Sequence, residues 1–167
     1  MLIEYNIDGD FMSKLYVFVT CLVACLSAQL LKPLGYYFIN NKWDFKLIAA
    51  SGGMPSSHTS LVTALSVSVG LTDGFTSNTF YIALCFACII SFDAANVRYY
   101  AGQNISLTHK LISDLRELTS MNLRFDDPIY QKKMKEVLGH TYFEVLGGII
   151  LGIAVSYLCY FIFGGTL

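Results

Sequence analysis

Three largely apolar runs, Phe11–Leu31, Thr79–Ala95 and Tyr142–Phe163, are each about the length a helix needs to cross a bilayer. A fourth stretch, Pro55–Leu71, is weaker and patterned. Leu61, Val62, Leu65 and Val69 fall on one helical face, and Ser56, Thr59, Thr63 and Ser66 on the other. A span with a polar stripe belongs inside a bundle rather than against lipid. The pattern predicts one membrane-embedded all-α domain with about four transmembrane helices, over 11–31, 55–71, 79–95 and 142–163. In the loop of residues 99–139, Ile105, Leu111, Ile112, Leu115 and Leu118 recur at helical spacing, and Lys110, Asp114, Arg116 and Glu117 cover the other side. This predicts an amphipathic helix lying on the membrane surface. Asp126-Asp127-Pro128 opens a further helix that ends at Gly139.

Composition agrees. Of 167 residues, 54% are hydrophobic and only 14% charged, with a net charge of −1, and the mean hydropathy is +0.53. Nothing here favours nucleic acid as a partner. The first residues lack a basic region and a cleavage site, so no signal peptide is expected. Five cysteines, Cys21, Cys25, Cys85, Cys88 and Cys159, lie in apolar runs. Their odd number and setting argue against a disulfide framework, and no metal or cofactor is expected.

Charge sorts the loops. Ten of the eleven basic residues fall on one side of the predicted topology, Lys14 being the exception. By the positive-inside rule that side is cytoplasmic and both chain termini are external. Lys32, Ser57, His58, Arg98 and His140 then gather at the cytoplasmic ends of their spans. A bacterial plasma membrane is the expected location.

The candidate chemistry sits at those ends. Gly52 and Gly53 open a loop, Pro55 suits the first position of a helix, and Ser56, Ser57 and His58 would occupy its first turn. Free N–H groups and the positive dipole end make such a turn an anion site, and a histidine there can move a proton near neutral pH. The same residues also fit a plain helix start with a solvated histidine. His140 and Glu144, four apart, share a helix face, so the carboxylate can orient the imidazole as a nucleophile, or the pair can anchor a helix end. Arg98 is a natural phosphate ligand, with Asp93 to position it or pair with it. Lys32, Lys42 and Lys46 compete as further cationic ligands. Trp43, Tyr36, Tyr37, Tyr99 and Tyr100 fit an interfacial aromatic belt. Gly148-x-x-x-Gly152 permits close packing, either within the bundle or across a homodimer.

Gly-Gly-Met-Pro-Ser-Ser-His (52–58), Asp-Ala-Ala-Asn-Val-Arg (93–98) with Ala-Gly-Gln (101–103), and Leu-Gly-His-Thr-x-x-Glu-Val (138–145) resemble the divergent branch of the phosphatidic acid phosphatase type 2 superfamily. The resemblance covers the chain from about Gln29 to the end of the last span. It implies a metal-free, two-step phosphoryl transfer. His140 would be the nucleophile, Glu144 its orienting carboxylate and His58 the general acid. Ser57 or Ser56, Arg98 and Lys32 would bind phosphate, supported by Asp93, Gly52 and Gly53. The chain departs from the superfamily in having Ser57 where the motif has glycine, in lacking an Arg-Pro after Lys32, and in carrying Glu144 for aspartate. Arg98 and His140 are also far apart in sequence, and the spans are fewer than the usual six.

Two functions follow as expectations. One is a lipid phosphate phosphatase working at the cytoplasmic leaflet on a phosphorylated lipid. The other is a non-catalytic membrane protein that binds a phosphorylated headgroup or a partner in the same pocket.

Overall fold

The computed structural model describes residues 7–49, 52–118 and 142–163. Every regular element among them is helical. The first helix, α1 (Ile7–Asn40), is longer than its apolar run because it continues through Lys32 and Pro33. Pro33 removes one backbone donor, but apolar residues resume after it and the helix continues. A short 3₁₀ turn (Phe45–Ala49) follows. Next come α2 (Ser57–Asp73) and α3 (Asn78–Ala95). After Asn96 the chain enters α4 (Val97–Leu118), and the last described helix is α5 (Tyr142–Ile162). The amphipathic helix expected in the long loop is α4, which starts earlier than the apolar spacing alone indicated. The helix expected over 128–139 lies outside the described residues.

Among the described residues, three helices are long and apolar enough to cross a membrane: α1 over Met12–Phe38, α3 and α5. The chain is thus an all-α integral membrane protein. The fourth expected span, α2, is 17 residues long, just short of that length, and carries a hydroxyl every few residues. Its neighbours and its own carbonyls, which accept from Ser66 and Ser68, explain how the hydroxyls are tolerated. α1, α3 and α5 all pack on α2, and Thr59, Ser60, Ser66 and Ser68 are buried. Buried hydroxyls need partners. Ser60 donates to the carbonyl of Ala24 in α1 at 3.2 Å, and Ser156 of α5 donates to the carbonyl of Ala64 in α2 at 3.2 Å. Tyr16 is fully buried, donates to the Ser156 carbonyl at 3.0 Å, and meets Tyr160 and Phe163 edge-on.

The α2–α5 contact depends on two glycines. A Cβ on Gly148 would lie 2.6 Å from the Ser56 carbonyl oxygen, and one on Gly152 2.6 Å from that of Ser60. The Gly-x-x-x-Gly face is therefore spent on packing within the bundle. Outward, Phe18 and Leu26 of α1, Phe86 and Ile89 of α3, and Ile150 and Phe161 of α5 are exposed. Such surfaces suit lipid tails. Cys85 and Cys88 share this exposed side of α3.

Candidate functional site

The loop before α2 is clamped between two helices. On one side Gly53 lies against the stem of Lys32, where a Cβ would meet Cγ and Cδ at 3.7 Å. That is ordinary contact, so glycine is needed here for its φ of 101° rather than for space. On the other side, Met54 and Pro55 pack on Gly147 of α5, and the backbone of Met54 passes close over Gly35 of α1.

Helix α2 starts two residues later than the proline suggested. Ser56, with φ −68° and ψ 118°, is the N-cap, and Pro55 precedes it rather than opening the helix. The extended backbone lets the Ser56 hydroxyl accept from the Thr59 N–H at 3.4 Å and from the Thr59 hydroxyl at 3.2 Å. The Ser56 N–H donates across to the Glu144 carbonyl oxygen at 3.0 Å. Ser56 is thus committed to structure, buried and bonded on both sides. Ser57 becomes the first helical residue, 3% exposed, and His58 follows it on the exposed side.

Of the three competing lysines, only Lys32 is buried, at 0% exposure. Lys42 and Lys46 are exposed. A buried ammonium is costly and calls for compensating charge. The half-buried Glu144 of α5 interacts with it electrostatically. Lys32, Gly53, Ser57 and Glu144 therefore converge at one end of the bundle, where α2 presents its N-terminus.

The second motif joins the same end. Ala94 and Ala95 of α3 cluster with Val145 of α5, and Ile149 packs against them. The Tyr142 hydroxyl donates to the Asn96 side-chain oxygen at 3.1 Å. Asp93 is half-buried one turn earlier, and Arg98 lies in the first turn of α4. His140 lies outside the described residues. Asn96 and Tyr142 escaped the sequence reading, although both sit inside the quoted motifs. Nearby, Tyr37 stacks on Trp43 with centroids 4.7 Å apart, and Trp43 on Phe45 at 5.8 Å. This aromatic group stands beside Lys42 and Lys46 in the segment between α1 and α2.

A conserved-family comparison fits this geometry. Residues 14–155 match the model of the Divergent PAP2 family. A Bacillus subtilis (strain 168) protein described as the uncharacterized membrane protein YuiD is 37% identical over 141 residues, which cover 83% of this chain and 89% of that protein. No solved structure matches the chain. The matched segment contains all three motifs, and the chain belongs to the Divergent PAP2 family.

Proposed function

We propose that the protein is a membrane phosphohydrolase that removes phosphate from a lipid phosphate at the cytoplasmic leaflet. The observation that carries the reading is the buried Lys32 beside the Gly53 loop, the α2 N-terminus and Glu144. A cation buried there, next to a helix start rich in N–H donors, suits a phosphate dianion. In this reading a ring nitrogen of His140 attacks phosphorus. The P–O bond to the lipid breaks, and His58 gives its proton to the departing alcohol. Water then attacks the phosphohistidine and loses its proton to His58, releasing phosphate. Glu144, four residues further on, orients His140. Lys32, Arg98, Ser57 and the α2 amides offset charge on the equatorial oxygens.

The test is phosphate release by purified, detergent-solubilised protein from a panel of lipid phosphates, with chelator present. Release that requires both His58 and His140 supports the proposal. A folded protein that binds these lipids without releasing phosphate overturns it.

One observation favours a second reading, a non-catalytic binder of phosphorylated headgroups. The Ser56 hydroxyl and N–H are both used internally, and Ser57 adds bulk where the superfamily has glycine. Fewer groups are then left to follow a changing phosphorus geometry. The same assay, paired with lipid binding, separates the two.

A further inference from the structure

The opposite end of the bundle holds a polar cavity that the chemistry above does not use. The α2 helix is 17 residues long, which puts its C-terminus about 25 Å from its N-terminus. There a cavity of about 370 Å³ opens between α1, α2 and α3. Its charged walls are Lys14 of α1 and Asp73 of α2. Thr79, in the first turn of α3, and Ser13 add hydroxyls, and Val17 and Val69 add apolar surface.

The field across this cavity is ordered. Asp73 ends α2, where the helix dipole is negative, and Thr79 lies near the start of α3, where it is positive. One wall therefore favours a cation. The other favours an anion, and Lys14 adds to that preference. The packing around the cavity supplies the second feature. α1 and α3 each pack on α2 but not on one another among the described residues. α1 and α3 therefore stand apart on either side of α2.

We propose that this end of the protein binds a zwitterionic phospholipid. Its ammonium group sits towards Asp73, its phosphate towards Lys14 and Thr79, and an acyl chain enters the gap between α1 and α3. The site is separate from the motif residues and does not depend on phosphatase activity.

Thermal unfolding of the purified full-length chain in neutral detergent tests this, with bound lipid counted by native mass spectrometry. Phosphatidylethanolamine should raise Tm and be retained at one molecule per chain, and phosphatidylglycerol at equal mole fraction should do so more weakly. Asp73→Asn should weaken phosphatidylethanolamine binding about ten-fold and erase the preference. Lys14→Gln should weaken both lipids. Both residues sit at an exposed rim, so the variants are expected to fold. A His58→Ala variant should keep the wild-type response. Equal binding of the two lipids, or a preference that survives Asp73→Asn, overturns the proposal. Stabilisation by soluble glycerophosphoethanolamine as strong as by the lipid also overturns it, in favour of a site for a small zwitterion.

Discussion

The backbone N–H of Ser56 donates to the carbonyl oxygen of Glu144, tying the cap of α2 to the first turn of α5 across 3.0 Å. The Ser56 hydroxyl meanwhile holds Thr59. Ser56→Ala leaves the first bond and removes the second. It should destabilise the protein by about 1 kcal/mol, the usual cost of a lost cap. Ser57→Gly keeps the cap and should change stability by under about 1 kcal/mol while opening space at the helix start. Thermal unfolding of the two variants side by side checks the difference.

Close approach of α2 and α5 makes Gly148 and Gly152 sensitive. A methyl group at either position would press on backbone carbonyls, which cannot move aside. Gly152→Ala should cost about 1–3 kcal/mol. Gly147→Ala meets the flexible end of Met54 first, at 3.3 Å, and should cost less. An inverted order of Tm losses would show that the helices do not cross where described.

Lys32 and Glu144 should be coupled. Lys32→Met and Glu144→Gln, alone and together, form a cycle whose interaction should reach roughly 1 kcal/mol or more in stability. Additive effects would mean the two side chains do not sense each other. Lys32→Met should also abolish binding of a phosphate analogue, which exposed Lys42→Ala and Lys46→Ala should leave within about two-fold.

Tyr16 tests the polar centre. Tyr16→Phe keeps the edge-on ring contacts with Tyr160 and Phe163 and loses the hydroxyl that donates to the Ser156 carbonyl. The expected loss is about 1 kcal/mol. Tyr16→Ala should lose about 3–5 kcal/mol, since the ring fills a fully buried space. Chemical denaturation in detergent would separate these two costs.

Much of the fold was legible because the bilayer rewards simple patterns. The runs over 79–95 and 142–163 fell within one or two residues of α3 and α5. The Ser/Thr stripe of α2 foretold its place among the other helices. Helix ends were less legible. Lys32-Pro33 looked like a stop, yet tertiary packing against the Gly53 loop carries α1 past it. Pro55 looked like a first helical residue, but the Ser56 cap, with its two bonding partners, sets the start. At the candidate site, the sequence brought forward Lys32, Ser57, His58 and Glu144 without deciding among three lysines. Lys32 alone of the three is buried, and burial depends on contacts between residues far apart in the chain. The Asn96–Tyr142 bond was invisible for the same reason.

The sheathing of α2 by three neighbours also bears on how the protein is made. Leaving the translocon alone, α2 would still satisfy Ser66 and Ser68 on its own carbonyls, but it would offer lipid the Ser60 hydroxyl without its partner on α1, a poorer substrate for lateral release. α1 is already in the bilayer by then and supplies the Ala24 carbonyl for Ser60. α3 arrives after only residues 74–77. Insertion of the motif-bearing helix thus waits on its neighbours, and a nascent chain halted just after Asp73 should leave α2 extractable while α1 stays anchored.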